Sequence, residues 1–493
     1  MRPMNTLVIV SDEHNRDVLG CYGEPLVHTP VFDTLAARGT LFSNAYCNAP
    51  VCVPSRASMA TGLFPHQIGA WDSTSPYTGE PKGWAHGLRA SGHDVVSIGK
   101  LHYRNAADDC GFDPSLAPMH VHNGIGWMSS LLRDPPAPIT GADLMAKRIG
   151  AGETDYTHYD RDIVQQACNW LRERAEQSHD LPWVLHIGLV APHFPLIAPQ
   201  EFYELYDGVT LPRPRQYDQA ERPRHPVLDA LRRSSNYDDW FDEDAVRMAR
   251  QAYFGLVSFL DHNVGRILAA LETTGQLETT RIIYTSDHGD NLGHRGLWGK
   301  SVMYDDAAAV PLIIAGPDVP QGLQVDTPVS LVDLHPTIIE SAGSDKRDKI
   351  THRPGQSLTA RFAAPEEDRS VFSEYHDWSS ISGMFMLRTL RWKIIRYPGY
   401  DDQLFDMQSD PHETEDLAGQ ARYAATLNEM RALLASYADI EKINAAAFKD
   451  QKSKIDAFGG VEAILRSEEL GYTPAPATTE RPDGELPADP FEP

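Results

Sequence analysis

The sequence predicts an α/β fold: a large, mostly parallel sheet covered by helices, followed by a smaller C-terminal unit of antiparallel strands and a helix. Three observations carry this. Four short apolar runs, at 7–10, 95–98, 183–190 and 282–285, are bounded by polar or turn residues, as strands buried on both faces are. A long segment before the fourth run repeats Val246, Ala249, Tyr253, Leu256, Leu260, Val264, Ile267 and Leu271 at helical spacing and stops near Gly275. After about Ala364 the pattern changes to short strands at 371–375, 384–387, 392–395 and 403–407, then to a helical stretch over 421–439.

Each of the four buried runs leads into ionisable residues. The first meets Asp12 and Glu13, the second Lys100 and His102, the third His193, and the fourth Asp287 and His288. Ligands of open α/β sheets bind in the crevice at the carboxyl ends of the strands, so these four ends predict one shared site. Residues 103–180 lack a clear period and carry Pro135-Pro136, which reads as long lid or specificity loops. The Pro-, Arg- and Tyr-rich stretch 196–239 reads as a surface wrap. The expected division is a catalytic domain over 1–365, a C-terminal subdomain over 366–472, and an acidic, Pro-rich tail over 473–493, extended or packed on a neighbouring subunit of a homo-oligomer.

Composition narrows the partners. The 493 residues carry 44 Lys plus Arg against 69 Asp plus Glu, a net charge of −25, which repels nucleic acid and gives no attraction to anionic membranes. An anionic substrate must be caught by a local basic pocket. No run approaches the length of a spanning helix and the N-terminus carries no apolar leader, so a cytoplasmic location is the expectation. Five cysteines, an odd number without a Cys-x-x-Cys pair, argue against a disulfide framework or a zinc knuckle.

The most specific segment is Cys52-Val53-Pro54-Ser55-Arg56-Ala57-Ser58-Met59-Ala60-Thr61-Gly62. It reads as a loop entering a helix at Pro54, with Cys52 just outside the end where free N–H groups favour an anion. A thiolate there would be acidified and nucleophilic. The plainer reading is a buried cysteine.

Cys-x-Pro-Ser-Arg followed by Ala-Ser and Thr-Gly resembles the signature of type I sulfatases, the formylglycine-dependent branch of the alkaline phosphatase superfamily. The resemblance continues in family order through Ser11-Asp12-Glu13-His14, Gly99-Lys100-Leu101-His102, Ala191-Pro192-His193, Thr285-Ser286-Asp287-His288-Gly289, Gly299-Lys300 and Leu404-Phe405-Asp406. It implies an alkaline-phosphatase-like fold, a mixed, mostly parallel sheet sandwiched by helices, and a sulfuric ester hydrolase close to the arylsulfatase and phosphonate monoester hydrolase branch. It also implies that a maturation enzyme oxidises Cys52 to formylglycine. One hydroxyl of the hydrated aldehyde then attacks sulfur, and the other lets the hemiacetal collapse and expel sulfate, where a serine or cysteine would remain a trapped ester.

The same resemblance assigns a divalent metal to Asp12, Asp287, His288 and the diol at position 52. Glu13 replaces a commoner aspartate, so ligation and an outer position both stay open for it. Oxygen-rich coordination suits Ca²⁺ or Mg²⁺, and the imidazole of His288 leans toward Mn²⁺. Arg56 resembles the residue that holds the diol, Lys100 the one bridging diol and sulfate, His102 the base of hemiacetal collapse, and His193 with Lys300 the pair that binds sulfate and assists the leaving oxygen. For the leaving-group pocket the candidates are His14, Trp71, Asp72, Tyr103, His120, His122 and Trp127, with packing as the alternative. Asn291 and His294 read as turn caps, with ordering of the metal loop as the alternative. The implied substrate is a small sulfate monoester, aryl sulfates included; a phosphonate monoester or phosphodiester hydrolase, and a non-catalytic metal and anion binder, are the rivals.

Overall fold

The computed structural model describes residues 2–137, 142–177, 179–344, 353–467 and 472–476. Its main sheet has eight strands, β1 (Asn5–Asp12), β2 (Gly39–Phe42), β3 (Val95–Lys100), β4 (Ser115–Met119), β5 (Val184–Pro192), β6 (Thr280–Ser286), β7 (Leu312–Ala315) and β8 (Leu323–Val325), in the order β8-β2-β7-β6-β1-β5-β3-β4. Strands β6, β1, β5, β3 and β4 are parallel, whereas β7 runs antiparallel to both its neighbours, so the sheet is mixed. The four apolar runs are the four adjacent strands β6-β1-β5-β3. Their residues alternate between two cores. Leu7 and Ile9 pack with Leu185 and Ile187 on one face, while Val8 and Val10 enter the other.

Helices cover both faces. On the first lie α2 (Asp155–Ala175) and α4 (Glu243–Thr273); on the second, α1 (Cys52–Thr61) and α5 (Leu334–Ala342), with α3 (Pro226–Ser235) contributing Val227, Leu228 and Leu231 to the same second core. Helix α4 begins where the Asp242 carboxylate accepts the Ala245 N–H and closes before Gly275, which adopts a φ of 71°. Two stretches expected to be irregular are partly helical. Helix α2 falls within 103–180 because its buried face carries Asp160 and Asp162 beside Ile163, Val164 and Leu171, which breaks the apolar period. Helix α3 likewise sits inside the expected surface wrap.

The C-terminal sheet is an antiparallel meander of β9 (Val371–Tyr375), β10 (Met384–Arg388), β11 (Trp392–Arg396) and β12 (Gln403–Asp406). The expected helix over 421–439 is α6 (Ala424–Tyr437), and a second helix, α7 (Ile440–Phe458), follows with few buried residues. One face of the meander shares a core with the main sheet, with Met386 and Phe405 joining Val10 and Ile314. A buried ion cluster also crosses the junction: the Lys393 ammonium donates to Asp305 at 2.6 Å and pairs with Glu413 at 2.7 Å. The expected tail starts inside the molecule, since Thr473 is buried, and 477–493 lie outside the described residues.

Candidate active site

The sequence-predicted residues converge at the carboxyl ends of the central strands. Because β6 and β1 are adjacent and in register from Asn5↔Thr280 to Ser11↔Ser286, Asp12 and Asp287 emerge side by side. Between them sits Arg56, whose Nε donates to Asp287 at 2.6 Å and Nη2 to Asp12 at 2.9 Å, while Nη1 donates to the Lys100 carbonyl at 3.0 Å. Buried carboxylates need such partners, and a planar guanidinium can serve both at once. Lys100, at the end of β3, adds a 2.8 Å pair to the Asp12 carboxylate.

Helix α1 begins at Cys52 itself, with Val51 as the extended residue before it, and Pro54 lies in the first turn. Its approach is fixed by the Ser55 hydroxyl, which donates to the Asp287 carbonyl at 2.7 Å. Around Cys52 Sγ stand His288 Nε2 at 3.1 Å, Lys300 Nζ at 3.3 Å and Asp12 Oδ1 at 3.5 Å. Lys300 in turn donates to Glu13 at 3.0 Å, and His193 Nε2 lies 3.1 Å from both that carboxylate and the Lys300 ammonium. The sharp turn that brings Glu13 back is a left-handed residue, φ 64°, whose carbonyl accepts the Tyr253 hydroxyl at 2.6 Å.

Burial sets the electrostatics. It pushes the Cys52 thiol up to about 12, reinforced by Asp12 and opposed by Lys300 and Lys100. An ordinary thiolate nucleophile is therefore disfavoured, despite the helix terminus. Burial also works to raise Asp12, but Lys100, His193, Arg56 and His288 outweigh it and hold the carboxyl well below its usual range. Glu13, raised by burial against the pull of Lys300, comes to about 7. His193 is lowered by burial and the Lys300 charge, and His102 by burial and Lys100, so both imidazoles are neutral. Lys300 is raised, because Cys52, Glu13 and Asp12 overcome its desolvation.

The donor set fits a divalent cation. Ligand atoms of Asp12, Cys52, Asp287 and His288 lie within 4.8 Å of one another. The His288 Nδ1 is 3.0 Å from the Gly289 carbonyl, which fixes the proton there and leaves Nε2 as a lone-pair donor. Glu13 belongs to a neighbouring group with Asp12 and His193, and its Oε1 is buried with no hydrogen-bond partner among the described residues. An ion in this place would be held by hard oxygens and one imidazole.

A cleft beside Cys52 is lined by Lys100, His102, His193 and Lys300. Of the seven leaving-group candidates only Trp127 lines it. His14 points behind the site, with Nδ1 2.6 Å from the Tyr284 hydroxyl. Asp72 is buried against Thr74 and Gln451, Trp71 sets its edge on His376, and Tyr103 packs on Tyr77. Asn291 does more than cap a turn: its Nδ2 donates to the Gly299 carbonyl at 2.6 Å and the Lys300 carbonyl at 3.2 Å, ordering the loop that carries Lys300. His294 instead accepts the Arg215 N–H at 2.7 Å.

Several residues escaped the sequence reading. Asp160 accepts the N–H groups of Val190 and Ala191 at 2.7 and 2.8 Å and so fixes the end of β5 ahead of His193. Tyr156, one turn earlier on α2, lines the cleft with Tyr472 and Thr473. Their signal was the spacing of Tyr156 and Asp160 by four, a shared helix face visible only once α2 is recognised.

The family model described as Sulfatase matches residues 4–344, well over half of the chain. The chain belongs to the sulfatase family. A second model, N-sulphoglucosamine sulphohydrolase, C-terminal, matches residues 293–439 of this sulfatase. The choline-sulfatase of Rhizobium meliloti is 30% identical over 458 residues, 91% of this chain and 89% of the relative. Arylsulfatase K of Bos taurus is 29% identical over 480 residues, covering 91% and 84%. The phosphonate monoester hydrolase of Agrobacterium radiobacter shares the fold with a TM-score of 0.71 at 24% identity, over 90% of this chain and 96% of that one. The protein is a sulfuric ester hydrolase. No helix among the described residues is long and apolar enough to cross a membrane.

Proposed function

We propose that this sulfatase hydrolyses small sulfate monoesters, aryl sulfates among them, after a maturation enzyme has converted Cys52 to formylglycine. The observation that supports this most directly is the ring of Lys100, His102, His193 and Lys300 around the cleft beside Cys52, a basic pocket in a chain of net charge −25. An anionic ester is drawn to that pocket by its local positive charge. A divalent cation held by Asp12, Asp287 and His288 would supply Lewis-acid polarisation of the ester and of the hydroxyl at position 52.

The chain's own groups do the rest. Arg56 fixes the two metal-facing carboxylates and with them the base of α1. Lys300 keeps its proton and donates a hydrogen bond toward the sulfate and the leaving oxygen. His193, lowered by burial and the Lys300 charge, gains basicity when an anion arrives beside it and then assists the departing alcohol. His102, neutral, is fitted to take the proton whose loss releases sulfate.

Two measurements test the reading. Mass spectrometry of the peptide carrying residue 52 must find an aldehyde in place of the thiol; a free thiol with no turnover would favour the non-catalytic rival. Comparison of kcat/KM for 4-nitrophenyl sulfate and a phenyl phosphonate ester must favour the sulfate. A large phosphonate preference would assign the same machinery to phosphorus.

A further inference from the structure

The C-terminal segment that follows α7 returns to the cleft of its own chain. Thr473 is 7% exposed, and its hydroxyl lies 2.8 Å from His102 Nε2. Its carbonyl accepts the Tyr156 hydroxyl at 2.6 Å, and Tyr472 meets the Tyr156 ring edge-on at 6.4 Å. Tyr156 in turn sets its ring against that of His193 at 5.9 Å. Residues from positions 102, 156, 193 and 473 thus lie together along the cleft beside Cys52, with Tyr472 and Thr473 in its lining.

His102 needs this neighbour. Its backbone is left-handed, φ 55°, held by the Met119 carbonyl at 2.8 Å, and its Nδ1 is buried without a hydrogen-bond partner among the described residues. The Thr473 hydroxyl is thus the one side-chain hydrogen bond described for this imidazole.

Resting on the reading of the chain as a sulfate monoester hydrolase, we infer that Tyr472 and Thr473 form a built-in wall of the leaving-group pocket, which confines the enzyme to esters of small alcohols, and that Thr473 is a positioning residue for His102. Specificity here follows from steric exclusion by the chain's own C-terminal segment. The wall is anchored at Tyr156, so its removal and the loss of its anchor act in the same direction.

The test uses the matured, metal-loaded full chain, a chain ended after residue 471, and the variants Thr473→Val, Thr473→Ser and Tyr156→Phe. Substrates are 4-nitrophenyl sulfate and the larger 4-methylumbelliferyl sulfate. Comparing each variant's ratio of kcat/KM values with that of the parent cancels the intrinsic reactivity of the two esters. The shortened chain and Tyr156→Phe raise the large-to-small ratio, the former by about tenfold or more. Thr473→Val, which keeps the shape and loses the hydroxyl, lowers kcat on the small ester roughly tenfold with KM little changed, and Thr473→Ser restores it. Tyr156→Phe and the Thr473 variants keep the question answerable if the shortened chain fails to fold. Unchanged ratios and an unchanged kcat in these variants, with a parent that turns over sulfate esters, overturn this inference alone. A matured parent that hydrolyses neither ester overturns both it and the function it rests on.

Discussion

The Lys300 ammonium stands 3.3 Å from the Cys52 sulfur while donating to the Glu13 carboxylate, so a fully buried cation is shared between the first turn of α1 and the end of β1. Whatever oxygen replaces that sulfur inherits the same donor. The proposed reaction turns on the side chain at position 52, and its removal is the plainest test.

Cys52→Ala leaves the fold intact and lowers kcat/KM for an aryl sulfate by about 10⁴-fold or more, since it removes the nucleophile proposed at position 52. Cys52→Ser gives a single turnover and then stops, leaving sulfate on the protein. Mass measurement of the serine variant after exposure to substrate distinguishes the two.

Arg56→Ala leaves Asp12 and Asp287 buried and facing each other without their shared partner. Breaking such a pair costs about 3 kcal/mol or more. The metal-stripped variant therefore unfolds at a lower denaturant midpoint than the metal-stripped parent, and divalent cation narrows the gap. A variant as stable as the parent without metal would show that the bridge adds nothing.

His288→Asn exchanges the one imidazole of the donor set for an amide oxygen. Stabilisation by Ca²⁺, read as the rise in Tm on adding metal to stripped protein, grows relative to that by Mn²⁺. An unaltered ratio would remove His288 from the ligands.

Asp160 supplies a pH signature away from the metal ligands. Burial raises it from 3.8 to about 7, despite the two N–H groups it accepts. A carboxyl raised in the folded state contributes its stability below the unfolded value, and that contribution is lost as pH climbs through the window from about 4 to about 7. The full difference corresponds to at most about 4 kcal/mol. Asparagine mimics the protonated form, so the Tm of Asp160→Asn minus that of the parent rises across this window. A difference independent of pH would exclude Asp160 as the titrating group.

Much of this was legible in the chain. The strands of the sheet centre are buried on both faces and announce themselves as uninterrupted apolar runs, and Asp12, Lys100, His193 and Asp287 follow those runs within a few residues. Helix α2 was hidden because Asp160 faces inward to hold the end of β5, a local polarity that only tertiary structure explains. Thr473 could not be found at all, since its partner His102 lies 371 positions away and no spacing connects them. The leaving-group candidates failed for a related reason: after the left-handed turn at Glu13, His14 is taken up by Tyr284, Asp72 by Thr74 and Gln451, and Tyr103 by Tyr77.

The Lys393 cluster bears on how such a molecule can change over time. An ammonium from the meander pairs with Glu413 of its own portion and with Asp305, which follows the main sheet's Lys300 loop and also meets Arg16, so the two portions share one buried charge network. Recombination that grafted the meander from a distant homologue would break the Lys393–Asp305 arm of that buried network. The two portions must diverge together, and heat should melt them in a single calorimetric transition.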